Sequence, residues 1–176
     1  MFKRFDICIV LFLVLNACYW FILNALNSAV SPYVYFLLPA IFIVPAAMFM
    51  NFSSMVVVCA ISACATASAM PINMFAVCAV WLAAGFAINA WRFKFRALDI
   101  FSSITVMQFV NMFVFAFYVL LLPVSAENYV EYIKRVACDF AFSGLLLCLC
   151  ANFCLSLPVC IMSFFGVDIM STEDVL

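Results

Sequence analysis

The chain contains no histidine and very little charge. Its 176 residues include seven Lys and Arg and eight Asp and Glu, so charged residues make up 9% of the sequence, where a soluble domain has about 25%. Because the two signs nearly cancel, no strong net charge marks the chain as a nucleic-acid binder or an acidic tail protein. No charged residue occurs between Ile7 and Trp91. This composition excludes a soluble domain with one core.

Ionisable groups are also missing where membrane chemistry would need them. Asp6, Asp99 and Asp139 all fall at the starts of predicted helices, and no charged residue falls in mid-span. Proton relays, ion-coupled transport and intramembrane metal hydrolysis place such groups inside the bundle. The ten cysteines contain no Cys-x-x-Cys pair and have no histidine partner for a metal. We therefore predict no enzyme, catalytic residue, cofactor or metal site.

Hydrophobic residues dominate what is present. They make up 72% of the chain, and the mean hydropathy is +1.34. At about 20 residues per spanning helix, the length supplies six spans with short loops. The sequence therefore predicts an all-α fold, a single polytopic membrane helix bundle with about six transmembrane helices.

Polar residues and prolines set the predicted limits of the spans. Pro39 and Pro45 are expected to kink the second span, and the sixth is expected to end before Pro158. Residues 123–136 are the one sizeable predicted loop, an amphipathic segment at the outer interface. The six predicted spans lie near residues 6–26, 33–50, 52–69, 72–91, 98–122 and 137–157.

Basic residues predict the orientation, because positive charges near span ends stay in the cytoplasm. Lys134 and Arg135 alone fall on the opposite side when six spans are assumed. If residues 33–69 crossed the membrane only once, the N-terminal basic residues and those after the fourth span would lie on opposite sides of the membrane. The charge bias would then vanish, so five spans are the less favoured alternative. Both termini are predicted to be cytoplasmic. The predicted topology anchors are Lys3, Arg4, Arg92, Lys94 and Arg96.

Two sets of residues are candidates for contacts between helices. Small side chains in the third span form a ridge that allows close helix approach, either inside the bundle or against a partner's transmembrane helix. In the fifth span, polar residues recur at every third position: Thr105, Gln108 and Asn111. They could form structural hydrogen bonds between helices or line a ligand pocket. The predicted ridge comprises Ala60, Ala63, Cys64, Ala67 and Ser68.

The order of segments between Phe52 and Leu122 resembles that of the MreD family, the rod-shape-determining membrane proteins of bacteria. A small-residue third span, a break at Met70-Pro71-Ile72-Asn73-Met74-Phe75, a fourth span with a basic end at residues 87–96 and a long fifth span carry the resemblance. It implies a non-enzymatic scaffold of the bacterial inner membrane that binds MreC, a single-span coiled-coil protein. MreB and the synthases of lateral peptidoglycan would be indirect partners.

A second class of protein has a similar fold and size. The substrate-binding S component of an energy-coupling-factor vitamin transporter is also a protein of roughly six spans. It would bind a vitamin near its outer face through polar groups such as Gln108, Asn111 or Asn152. A convergent polar pocket at the outer ends of the spans would distinguish this alternative from a scaffold.

Overall fold

The computed structural model describes residues 2–30, 33–68, 72–92, 100–121 and 129–166, with side chains from residue 7 onward. Within these ranges the chain forms six α-helices and no strand. This confirms the predicted all-α helical bundle. The helices are α1 (Phe2–Val30), α2 (Ala40–Phe49), α3 (Phe52–Ala67), α4 (Met74–Trp91), α5 (Ile100–Leu121) and α6 (Tyr129–Phe164).

Four of the helices are long and apolar enough to cross a membrane: α1, α4, α5 and α6. Large apolar side chains cover the outside of the bundle, among them Phe101, Leu120 and Leu149, each about four-fifths exposed. Such a surface needs lipid as its solvent, so the chain is a multi-pass membrane protein. With 10 and 16 residues, α2 and α3 are about 15 and 24 Å long, shorter than the roughly 30 Å hydrocarbon core.

The predicted second span, residues 33–50, is wrong in its first part. Residues 34–38 have no regular secondary structure, and α2 begins only after Pro39. Proline disfavours helical geometry in the residue before it, and its own fixed φ and missing N–H suit the start of a helix. Pro39 therefore begins the helix instead of kinking it, while Pro45 does lie inside α2.

The helix that contains the predicted sixth span extends beyond it at both ends. Residues 129–136, expected to be part of a loop, form the first two turns of α6, and the helix continues past Pro158 to Phe164. An ion pair between Arg135 and Asp139, one turn apart at 3.3 Å, supports the early turns. Pro158 is buried against the other helices, and membrane helices tolerate proline where their neighbours stabilise the freed backbone.

The short helix α2 lies at the centre of the bundle. It contacts all five other helices, and eight of its ten residues are buried. The Phe42 ring lies 5.7 Å from the Trp81 ring of α4 and 6.4 Å from the Tyr19 ring of α1. Because α2 is apolar on every side, it can be buried on every side.

Candidate functional site

The extended segment that leads into α2, residues 34–38, is held by side chains of α1. Asn27 donates from Nδ2 to the Phe36 carbonyl at 3.0 Å and accepts the Phe36 N–H at 2.7 Å. One amide side chain thus satisfies both backbone groups of a residue that belongs to no helix. Within a membrane, such backbone is tolerated only where protein groups take up its hydrogen bonds.

Two side chains of α6 hold the opposite edge of the same segment. The Tyr35 N–H donates to Asp139 Oδ1 at 2.9 Å, and the Leu37 N–H donates to Ser143 Oγ at 3.0 Å. Successive N–H groups of an extended chain point to opposite sides, so residues 35 and 37 bond to α6 and residue 36 bonds to α1. Asp139 and Ser143 are four residues apart, which places them on one face of α6.

The other end of α2 is held by α4. Asn89 donates to the carbonyls of Ala47 and Met50 at 2.9 and 3.3 Å, and Arg92 donates to the Met50 carbonyl at 3.0 Å. These carbonyls lie at the helix C-terminus, where the partial negative charge of the helix dipole favours a cation. We call these five side chains, which fix α2 at both ends, the α2 clamp: Asn27, Asn89, Arg92, Asp139 and Ser143.

Sequence reasoning missed the α2 clamp. Asn27 was expected to mark the end of a span and Asp139 the start of one, while Arg92 was expected to anchor the chain at the lipid surface. Its carbonyl contact gives Arg92 a second role, and Lys94 and Arg96 lie outside the described residues, as do the side chains of Lys3 and Arg4. The two bonds from this segment to α6 join residues that are separated by 104 and 106 positions in the sequence. No local sequence pattern reveals such contacts. The available signal was a proline-interrupted apolar segment, a mark of broken membrane helices.

The predicted ridge on α3 is divided between the inside and the outside of the bundle. Ala63 and Ala67 are buried, Ala60 and Cys64 are half-buried, and Ser68 is exposed. The helix packs against α1, α2 and α4. The buried part of the ridge therefore packs within the chain, and Ser68 is its one exposed member.

A different row of small residues faces outward on α4. Ala79, Ala83, Ala87 and Ala90 are all exposed, on the side of the helix away from the buried Trp81. Their spacing of three or four residues aligns them along one face. We call these four residues the alanine ridge. This ridge was not predicted from the sequence, although the sequence contains the regular spacing of its alanines.

The predicted polar residues of the fifth span do not act together. Thr105 is exposed and donates to the carbonyl one turn earlier. Gln108 donates to the Gly144 carbonyl of α6 at 2.6 Å. Asn111 is fully buried, and neither of its amide atoms has a partner among the described residues. Asn152 is half-buried on α6. One polar seam through α5 is therefore not formed.

No known protein family, curated protein or solved structure matches the chain. Within the part of the chain that is described, no group of three or more His, Cys, Asp or Glu side chains could hold a metal ion. The described residues do bring together two structural features. The α2 clamp fixes a buried helix, and the alanine ridge gives α4 an outer surface that another helix can approach closely.

Proposed function

We propose that this protein is a non-enzymatic membrane scaffold of the cell-elongation complex in the bacterial inner membrane, binding an MreC-like single-span partner and supporting lateral peptidoglycan synthesis. The observation that carries the proposal is the filled centre of the bundle. Ile43 and Val44 in the middle of α2 have no exposed surface, and the α2 clamp fixes both ends of that helix. A body built this way keeps one shape and one outer surface.

The filled centre favours a scaffold over the S component of a vitamin transporter. A solute site is a concave pocket with a few convergent polar groups. Here apolar side chains of α2 pack against Trp81 of α4, and Gln108, one of the residues considered for a vitamin site, bonds to the backbone of α6. The polar groups near the extended segment are engaged by its backbone.

The alanine ridge is the surface that suits a partner's transmembrane helix. Helices in lipid associate through close van der Waals packing, and small side chains allow their backbones to approach. The ridge is exposed along α4, whereas the buried half of the α3 ridge is occupied by the chain's own helices. A single-span protein of the MreC type would present one such helix and link the bundle indirectly to MreB and the wall synthases.

The basic residues support the orientation that this role requires. Arg92 lies at the end of α4, and Lys94 and Arg96 follow it in the sequence. Lys3 and Arg4 lie in the first turn of α1. Positive residues at span ends favour the cytoplasmic side. The proposed topology places both termini and the end of α4 in the cytoplasm.

Affinity capture from mild-detergent membranes of the native host tests the proposal, with partners identified by mass spectrometry. We expect a single-span protein with a coiled-coil extracytoplasmic domain, together with wall synthases. Recovery of two ATPases and a polytopic coupling subunit would instead identify a vitamin transporter and overturn the scaffold.

A pair of matched variants tests the surface. Ala83→Ile adds bulk at the centre of the alanine ridge, and Ala116→Ile adds the same bulk at an exposed position of α5. Because bulk keeps helix backbones apart, Ala83→Ile should reduce partner recovery roughly tenfold, equivalent to about 1.4 kcal/mol. Ala116→Ile should leave recovery unchanged. Equal recovery with both variants would exclude the alanine ridge as the partner surface.

A further inference from the structure

Two cysteines on neighbouring helices face each other at one end of the bundle. Cys64 of α3 and Cys78 of α4 have their Sγ atoms 3.6 Å apart, and both side chains are half-buried. They belong to the two helices that the short connection through residues 68–73 joins. The feature is thus a pair of thiols in contact, contributed by two different elements.

The pair lies close to one end of each of its two helices. Cys64 lies one turn before the end of α3 at Ala67, and Cys78 lies one turn after the start of α4 at Met74. One helical turn rises about 5.4 Å, so both thiols lie close to the helix ends. The exposed Ser68 and Asn73 follow and precede these ends. The half-buried pair thus lies about one turn from these exposed polar residues.

The geometry suits a covalent bond. A disulfide has an S–S distance of about 2.05 Å, so the two sulfur atoms need to approach by about 1.5 Å. Rotation of the two cysteine side chains about χ1 is the movement required to close this gap. Cys150 and Cys154, in contrast, lie on the same helix one turn apart, and a bond between them would join no second element.

The topology proposed above places the pair in an oxidising environment. Arg92 lies at the opposite end of α4 from Cys78, and the basic residues there favour the cytoplasmic side. The end that carries Cys64 and Cys78 then faces the extracytoplasmic compartment, where protein disulfides form and persist.

We propose that Cys64 and Cys78 form a disulfide that fastens α3 to α4 at the extracytoplasmic end of the bundle. The oxidant is the disulfide of an extracytoplasmic thiol oxidoreductase. One cysteine loses its proton and attacks a sulfur of that disulfide, which forms a mixed disulfide and releases one oxidant thiol. The second cysteine loses its proton, attacks the first cysteine's sulfur and releases the other thiol. Two electrons and two protons pass to the oxidant, which leaves as a dithiol.

Trapping of thiols in native membranes tests this proposal, which rests on the proposed topology and not on the identity of a partner. Membranes are quenched in acid, denatured and treated with a maleimide coupled to polyethylene glycol, before and after reduction with dithiothreitol. A variant that retains only Cys64 and Cys78 should gain two polymer chains after reduction and none before it. A matched variant that retains only Cys148 and Cys160, twelve residues apart on α6, should gain two polymer chains in both conditions.

Mass spectrometry of the unaltered chain provides a second measurement, in case removal of eight cysteines prevents folding. Digestion without reductant should release a peptide pair linked through Cys64 and Cys78, which Cys64→Ser or Cys78→Ser abolishes. Free thiols at both positions in native membranes would overturn the proposal. Oxidation of the isolated membranes with copper phenanthroline would then show which premise fails. If copper phenanthroline formed the disulfide, the premise that the pair lies in an oxidising compartment would be refuted. If no disulfide formed, the premise that the two thiols are close enough to bond would be refuted.

Discussion

Replacing Asn27 with Ala should loosen the entry to α2. The change removes two hydrogen bonds at once, from Asn27 Nδ2 to the Phe36 carbonyl at 3.0 Å and from the Phe36 N–H to Asn27 Oδ1 at 2.7 Å. Both Phe36 groups belong to extended backbone and have no helical partner. Loss of the side chain leaves a partly buried donor and acceptor unsatisfied, which costs more than an ordinary hydrogen bond contributes.

The magnitude follows from hydrogen bonds measured in membrane proteins. A single interhelical bond contributes about 0.6 kcal/mol on average and up to about 1.7 kcal/mol. Two bonds to non-helical backbone belong in the upper part of that range, so Asn27→Ala should lower the free energy of unfolding by about 2–3 kcal/mol. The control is Asn24→Ala on the same helix. Asn24 donates only to the Trp20 carbonyl one turn earlier, and its loss should cost less than about 0.5 kcal/mol.

Unfolding in mixed micelles with increasing sodium dodecyl sulfate, followed by tryptophan fluorescence, measures both variants. Trp81 lies in the core beside Phe42 of α2, so its emission reports on the packing of that helix. If Asn27→Ala unfolded within about 0.5 kcal/mol of Asn24→Ala, the side chain would not hold the extended segment, and the reasoning behind the α2 clamp would be refuted.

The same unfolding assay tests two further changes. Asn111→Leu should raise the free energy of unfolding by about 1 kcal/mol or more, because it replaces a fully buried, unpartnered amide with an apolar group of similar size; a fall would mean that the amide is hydrogen-bonded in the membrane. Gly85→Ala should lower it by about 1–3 kcal/mol, since the new Cβ would lie 2.9 Å from Met55 Sδ. Gly144→Ala should change it by less than about 0.5 kcal/mol, because its Cβ would meet nothing closer than 3.5 Å; equal effects of the two alanines would contradict the close packing at Gly85.

Composition and the polar residues and prolines that flank the helices were enough to predict much of the helical framework. α3, α4 and α5 lie within two residues of their predicted limits. The reason is local: polar residues flank these helices, and Asn73 caps α4 by accepting the Phe75 N–H. Such signals depend on neighbours in sequence, which a single chain displays.

The parts that sequence could not predict depend on distant partners. Hydropathy treats residues 33–50 as one apolar run, yet the backbone of its extended first part is bonded to Asn27, Asp139 and Ser143, which lie on other helices. Likewise, the small residues of α3 and α4 are similar in sequence, but one row is partly buried and the other is exposed. Which face of a small-residue helix is occupied depends on the packing of the whole bundle, and spacing alone does not specify it.

The polar residues of the α2 clamp meet a requirement for hydrogen bonds at the centre of the bundle. An apolar helix buried on all sides has backbone groups at both ends that water cannot reach, and these must be paired. The α2 clamp, from three helices, pairs backbone groups of the segment before α2 and carbonyls at the end of α2, so movement of this unit would break bonds to α1, α4 and α6 together. Since Asn89 and Arg92 extend from α4, the helix that carries the alanine ridge is fixed to the centre of the bundle. A partner helix on that ridge would therefore meet a surface whose position the core already determines, as a scaffold requires.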